Sequence, residues 1–518
     1  MKRRLSIFAL LALWLPSCSG GAPPLPSNGS LAPSVVQARV APGGVALGVP
    51  PEVHAVRGVA TVELIAKIDP ATGLPTFVFN GMKGVIPTIR VKPGDTIVVD
   101  VSNLLPPSAG MQSDMNLHFH GLVVSPNPPA DNVLTTLAMP GGTLHYVVPI
   151  PRGQDPGLYW YHPHVHGETD YQVGQAGMSG AIVVTGLEEH LRGLAAMTER
   201  LLVVRSVASN AARSVMPAMS MKPHDSDTNN NPCGPDAGFT TTVNGAVEPT
   251  IAIAPGERQF FRLVNATAHK NLDLAVDGGS LELVAIDGFA LAAYAGTAAT
   301  RTVTHVVVPP AGRAEFVVTG SRNGPAEFRS LCYNSGPTGD PDPMIVLAHL
   351  RNVPHAFHRG YAPAPLRVAR PLPRNLFTLP LPPVAATRTV VFNEDDNAMY
   401  INGQAFWPGA APMFTVRVGT IERWNVVNIT QEVHDFHMHQ THFYVEQING
   451  VKVPHPVWAD SVVIPRRTPG ANGSWTPGSL TMVVDFRPPV IAGEFVFHCH
   501  ILDHEDSGMM AKIRAVAP

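Results

Sequence analysis

The sequence predicts an all-β protein of three related β-sandwich domains, on three observations. Pro (52) and Gly (46) are plentiful and spread along the 518 residues, which favours many short strands with punctuated turns over long helices. The residues between these breaks alternate and are rich in Val, Ile and Phe, as half-buried strands are. One pattern also occurs three times: "NGMKGVIPTIRVKPGDTIVVDVSN" (Asn80 to Asn103), "NGAVEPTIAIAPGERQFFRLVN" (Asn244 to Asn265) and "NGQAFWPGAAPMFTVRVGTIERWNVVN" (Asn402 to Asn428).

Each copy opens on Asn-Gly, a hairpin-turn pair. Each runs through an apolar strand to a Gly turn (Gly94, Gly256, Gly419) and closes on Asn nine residues later. The copies lie about 160 residues apart, a domain's length. They predict domains over 51–190, 191–365 and 366–518, the second boundary falling in the Pro-rich run "APAPLRVARPLPRNLFTLPLPP". A second repeat links only the outer domains. "GLYWYHPHVHG" and "GEFVFHCHILDH" both carry His-x-His five residues after a Gly, and both then reach Gly-Met and an alternating strand, "GMSGAIVVTG" and "GMMAKIRAV". The middle domain has the frame without the histidines, which suits a structural or substrate-facing part.

Ahead of the repeats, "MKRR" is a basic n-region and Leu5 to Leu15 an apolar stretch too short to span a bilayer. Residues 1–18 read as an export signal, by the general or, through Arg3-Arg4, the twin-arginine route. "LPSC" resembles a lipoprotein cleavage box, despite an unusual Pro16, so Cys18 is a candidate lipid anchor. Residues 19–50, rich in Pro, Gly and Ser, read as a flexible leader. A periplasmic or extracellular location follows. Hydrophobic residues make up 45% and charged residues 14%, with net charge −3, so nothing suggests a nucleic-acid partner. With Cys18 assigned to the signal and Cys499 to the motif below, Cys233 and Cys332 remain as a candidate disulfide.

The chemistry lies in four His-x-His pairs: His118/His120, His162/His164, His437/His439 and His498/His500. Residues two apart on a strand share a face, so each pair offers two imidazoles side by side. Eight converging imidazoles suit copper, zinc or iron. Cys499 lies between His498 and His500 and must point to the opposite face. His434, three before His437, also points away from its pair. With His504 and Met509 after a turn, the second face carries two imidazoles, a thiolate and a weak thioether, the ligands of a blue-copper electron-transfer centre. Cys499 is flanked by two imidazoles of the other site, so a short covalent bridge joins the two.

With these four motifs in order, the chain from about residue 60 onward resembles the multicopper oxidases. The resemblance implies three cupredoxin-like Greek-key β-sandwich domains, normally a monomer, and four copper ions between and within domains 1 and 3. It places His118 and His437 on a type 2 copper. His120, His162, His164, His439, His498 and His500 fall on a type 3 pair, and His434, Cys499, His504 and Met509 on a type 1 copper. The third motif departs from the family in reading His434-Asp435 where His-Pro is usual, and "HMHQTH" replaces "HLHGH". His166 and His442 are extra histidines without a ligand role, and Met510 is expected in the core. His224, His269, His305, His349, His355 and His358 read as surface or hydrogen-bonded residues.

The implied activity is oxidation of phenols or aromatic amines, with dioxygen reduced to water. Three acids carry expected roles: Glu505 as proton donor in O–O cleavage, Asp131 orienting type 2 water, and Asp435 taking a proton from a phenol or binding a metal-ion substrate at the His434 edge. A rival is a metal-ion oxidase acting on Cu(I), Fe(II) or Mn(II), for which "MPAMSM" (Met216, Met219, Met221), with His224 and Asp225, offers soft ligands for Cu(I). Met509, as a weak axial ligand, implies a lower potential than a non-coordinating Leu or Phe would. A non-catalytic copper carrier is disfavoured because it needs no oxygen-reducing site, and a two-domain nitrite reductase by the third domain.

Overall fold

Each Asn-Gly pair makes the corner its sequence calls for. Asn80, Asn244 and Asn402 sit at φ 50°, 51° and 51°, and Gly81, Gly245 and Gly403 at 76°, 83° and 73°. Two successive positive φ values match the twist of the flanking strands, and Asn and Gly take them most easily.

The computed structural model describes residues 44–107, 113–209, 231–236, 238–293, 298–353, 366–369, 381–395 and 398–517. The expected signal and most of the leader lie outside these residues. So do Cys18, Met216, Met219, Met221, His224, Asp225, His355, His358 and most of the Pro-rich run.

Each repeat builds a pair of facing sheets. In the first, one five-stranded sheet centres on Val59–Ile68, and the other contains Thr88–Val91, Gly180–Val184, Gly157–His162 and His118–His120 as successive neighbours. In the second the corresponding order is Thr250–Ile253, Ile345–Asn352, Ala326–Leu331, Leu272–Val276. In the third it is Phe414–Arg417, Met510–Val516, Gly493–Cys499, His434–Met438. Each run starts with a parallel pair and continues antiparallel. The repeat is thus one sheet topology drawn three times, with the histidine strands in the same place in the outer two.

Alternation explains what each strand buries. Along Val59–Ile68, Ala60, Val62, Leu64 and Ala66 point inward and their neighbours outward. The three repeat-closing asparagines are fully buried and tie down the loop that follows each. Asn103 Nδ2 donates to the carbonyls of Ser113 and Ala138, Asn265 Nδ2 to those of Lys270 and Val308, and Asn428 Nδ2 to that of Glu432. In the outer two units that loop leads straight to a histidine strand.

Contacts between the units are also apolar. Leu158, Trp160 and Val183 of the first, Val203, Val264 and Ala268 of the second and Leu502 of the third form one buried cluster. Leu191–Arg192 pairs antiparallel with Arg367–Val368, so the segments on either side of the middle unit form a small ribbon. One expectation needs correction at its edge. The leader read as free to residue 50, but Leu47 N donates to the Thr250 carbonyl at 2.9 Å and Leu47 packs on the middle core. An apolar side chain beside an open edge strand explains that docking.

Cys233 and Cys332 form a disulfide, closing a sequence separation of 99 residues. A cross-link across so long a loop restricts the unfolded chain strongly. Replacing both with Ser is expected to cost about 2–5 kcal/mol of stability, read as a lower thermal midpoint in the oxidised protein.

Candidate metal centre

Strand parity sorts the predicted ligands as the sequence requires. Phe436 pairs with Cys499 and His437 with His498 across adjacent strands. Phe436, Phe497 and Cys499 face the core of the third unit, which leaves His437 and His498 on the outer face. There they meet the equivalent face of the first unit, where His118 pairs with His162. His118 stacks on His439 with ring centroids 3.7 Å apart, and His120 on His437 at 3.8 Å. All eight imidazoles are buried.

Within this cluster two triads form, His120 with His162 and His500, and His164 with His439 and His498; in each, the candidate ligand atoms lie within 4.8 Å of one another. His118 and His437 belong to neither and group together with His120. Neighbouring groups fix the rings. Nδ1 of His162 donates to the Pro163 carbonyl at 2.7 Å, Nδ1 of His437 to the Asp460 carbonyl at 2.8 Å, and Nδ1 of His498 to the Cys499 carbonyl at 2.8 Å. Asn116 brackets the His164 backbone through two hydrogen bonds, and Trp160 stacks on His162 at 4.1 Å.

The nitrogens left over fit a metal. Nε2 of His118, His162 and His437, Nδ1 of His120 and both nitrogens of His500 are buried without a hydrogen-bond partner among the described residues. His498 Nε2 faces Nε2 of His164 and of His439 at 3.3 and 3.1 Å. With Nδ1 of His498 donating elsewhere, its Nε2 presents a lone pair to its neighbours, an arrangement that a cation reconciles. Burial pushes His120, His162, His164, His437, His439 and His500 well below the ordinary imidazole range, and neighbouring imidazoles push them further. They are neutral at pH 7, the form in which imidazole ligates metals.

Inside the third unit lies the second group. His434 Nδ1 and His504 Nδ1 are 3.2 Å apart, and Cys499 Sγ is 3.8 Å from each. His434 Nε2 donates to Thr430 Oγ1 at 3.0 Å, which leaves Nδ1 as the ligating atom. His504 sits on the short helix Leu502–Asp506, which turns it back over Cys499. Met509 is buried in the same core, and its carbonyl accepts from Cys499 N at 3.0 Å. Met510 is buried too. Burial first, and the Asp435 carboxylate second, push the Cys499 thiol well up; a bound cation removes such a proton.

The predicted acids fall in three settings. Glu505 is buried, with Oε2 3.0 Å from His498 Nδ1 and Oε1 accepting from Thr169 Oγ1 at 3.0 Å. Asp131 accepts from His118 Nδ1 and from Phe119 N, each at 3.0 Å, and from Gln440 Nε2 at 2.9 Å, so it holds the ring rather than facing the enclosed space. Asp435 was expected at a substrate-facing edge, but it has no exposed surface, and burial pushes its carboxyl well up. His434 is likewise fully covered, and His504 keeps 5% exposure. Of the extra histidines, His166 packs on Phe406, while His442 packs on Phe289 with Nε2 3.4 Å from Asp460. His269, His305 and His349 pair with Asp236, Asp273 and Glu327.

Several residues were not found from sequence. Asp460 Oδ1 accepts from His120 Nε2 at 3.1 Å, while Arg313 holds Asp460 through Nη1 at 2.6 Å and Nη2 at 2.5 Å. Burial works against the Asp460 carboxylate, yet Arg313 and His120 hold it well below the usual range. Burial pushes the neighbouring Asp287 up to about 7, with Arg313 opposing. Glu394 and Glu432 cluster with His434; Glu394 Oε2 lies 3.9 Å from His434 Nε2, and Glu432 Oε1 lies 3.5 Å from His504 Nε2. Glu432, two residues before His434, had a positional signal. Asp460 in "WADS" had none.

Comparison with known proteins gives one answer. Three family models, each described as multicopper oxidase, match residues 66–189, 159–352 and 378–517. The multicopper oxidase mco of Staphylococcus epidermidis is 25% identical over 443 residues, covering 83% of this chain and 81% of that one. The laccase of Bacillus subtilis is 24% identical over 489 residues, covering 83% and 88%. Among solved structures, a Campylobacter jejuni multicopper oxidase described as a metallo-oxidase superposes with TM-score 0.69 at 21% identity, covering 92% and 96%.

Glu168, next to the Thr169 that holds Glu505, provides a pH test. Burial, with Asp114 adding, pushes its carboxyl from 4.5 up to about 8. The folded state therefore binds a proton that the unfolded chain releases, so this contribution is full below pH 4.5 and fades as pH rises towards about 8. Thermal midpoints across that window should fall with pH in the wild type and fall less in Glu168→Gln.

Proposed function

The chain belongs to the multicopper oxidase family, and on that footing we propose that it couples one-electron oxidation of phenols and aromatic amines to the four-electron reduction of dioxygen to water. The observation that carries the reading is the alternation His498-Cys499-His500, which places one strand end in two ligand groups at once. In this reading His434, Cys499 and His504, with Met509 as a weak fourth ligand, hold a type 1 copper. His118 and His437 hold a type 2 copper, and the two triads hold a type 3 pair. Bound there, copper supplies the one-electron redox chemistry and the store of four electrons that dioxygen reduction needs.

The chain's own residues do the rest. The covalent run from Cys499 to its two neighbours connects the groups, and the Cys499 carbonyl, accepting from His498 Nδ1 at 2.8 Å, adds a second link. Glu505 sets a carboxyl beside His498 in the buried interior, where it serves as the proton donor that dioxygen reduction needs. Thr169 fixes the Glu505 carboxyl, and Asp131 fixes the His118 ring so that Nε2 faces inward. We further propose an exported monomer, on the strength of the N-terminal signal pattern and a ligand set complete within one chain.

One observation favours a second reading, oxidation of a metal ion. Glu394 and Glu432 place carboxylates along the Nε2 edges of His434 and His504, where electrons would enter. Two carboxylates suit a hard divalent cation such as Fe(II) or Mn(II) better than Cu(I).

Copper-loaded protein is expected to show intense blue absorption, which Cys499→Ser abolishes. Glu505→Gln should keep the blue absorption and slow oxygen consumption by about 100-fold or more; unchanged turnover would remove Glu505 from its role. Oxygen consumption with a phenol, Cu(I), Fe(II) and Mn(II) separates the two readings. Under the first, Glu394→Gln/Glu432→Gln leaves phenol oxidation intact; under the second, it abolishes oxidation of the divalent ions, and the wild type prefers them.

A further inference from the structure

Among its described residues the middle unit holds none of the twelve candidate copper ligands, yet it reaches them. Asp460, just before Ser461–Ile464 of the third unit, touches two of the candidate ligand imidazoles as well as His442, whose Nε2 lies 3.4 Å from its Oδ2. Its Oδ1 accepts from His120 Nε2 at 3.1 Å, and its carbonyl accepts from His437 Nδ1 at 2.8 Å. Those two rings stack on each other at 3.8 Å, tilted by 15°. His118, His162, His437 and His498 are all tied through Nδ1. His120 is tied through Nε2, which turns its Nδ1 inward.

Asp460 is itself immobilised from the middle unit. Arg313 donates to both its oxygens, a bidentate charge-assisted pair. The guanidinium is fixed in turn by the carbonyls of Leu158 at 3.2 Å, Ala311 at 3.3 Å and Asp287 at 3.0 Å. Asp287 Oδ1 accepts from Arg313 N at 2.8 Å, and Oδ2 accepts from the backbone N–H of Asp460 and of Ser461, each at 3.3 Å. Every member of this set is buried. Gly121, next to His120 and at φ +83°, makes room for it: a Cβ there would lie 2.8 Å from Asp460 Oδ2 and overlap Arg313 Nη2.

We infer that Asp460, clamped by Arg313 and Asp287, is a positioning residue that holds His120 and His437 in their ligating orientations, so that the middle unit takes part in retaining copper. One aspartate sets the ring face of a triad member through its carboxylate and, through its backbone carbonyl, that of a residue outside both triads. Loss of such an outer partner typically weakens metal binding by about 10–100-fold. The inference rests on the reading that the eight imidazoles hold copper.

The test is Asp460→Leu/Arg313→Met, which removes both charges together so that neither is left buried alone. Copper-loaded wild type and variant are titrated with a chelator, following copper per chain, blue absorption and the thermal midpoint. The expected result is copper loss from the variant at about 10–100-fold lower chelator concentration, with the Cys499-dependent blue absorption kept. A folded variant as retentive as wild type overturns the inference, because a merely structural pair predicts that outcome. Wild type that binds only the blue copper refutes the underlying reading instead. Should the double variant fail to fold, Gly121→Ala keeps both charges but displaces the pair. It should shift copper retention the same way, and unchanged retention there overturns the inference equally.

Discussion

Eight imidazoles, buried against one another with nitrogen lone pairs inward, are the constraint around which the rest of the molecule is arranged. Among the described residues, Nε2 of His118, His162 and His437, Nδ1 of His120 and both nitrogens of His500 have no hydrogen-bond partner, and unpaired buried polar atoms are costly. The fold holds them by force of backbone geometry. Two sheets of the same topology meet face to face, each presenting histidines at alternate positions. Buried asparagines pin the loops that lead into those strands, and outer carbonyls and carboxylates fix each ring.

That arrangement gives one strand two environments. Towards the core, Cys499 sits among Phe436, Phe497 and Trp424, a dry setting for a soft sulfur ligand. Towards the neighbouring unit, His498 and His500 lie in a polar pocket lined by other imidazoles and Glu505. Period-two alternation alone produces the separation, so the two groups are distinct without being distant.

The histidines and Cys499 were legible in the sequence because their partition depends on local spacing, and spacing survives in a linear chain. The repeat was legible for the same reason: Asn-Gly, a Gly turn and a closing Asn recur at fixed offsets. What could not be read were contacts made across the chain. Asp460 and Arg313 are separated by 147 residues, and His120 and Asp460 by 340, with no shared motif to announce them. Asp435 misled for a related reason. Adjacency to His434 suggested exposure at the same edge, but a strand turns neighbours to opposite sides, and both proved buried.

The ribbon between Leu191–Arg192 and Arg367–Val368 brings together the points where the chain leaves the first unit and returns to the third. Topologically the middle unit is then a lobe hung from a clasp, and the outer pair could close on each other whatever the lobe contained. Arg313 removes that freedom. A graft of another sandwich onto the same clasp would reproduce the shape and lose Arg313, whose guanidinium reaches the histidine cluster through Asp460, so the lobe is exchangeable as architecture but not as chemistry.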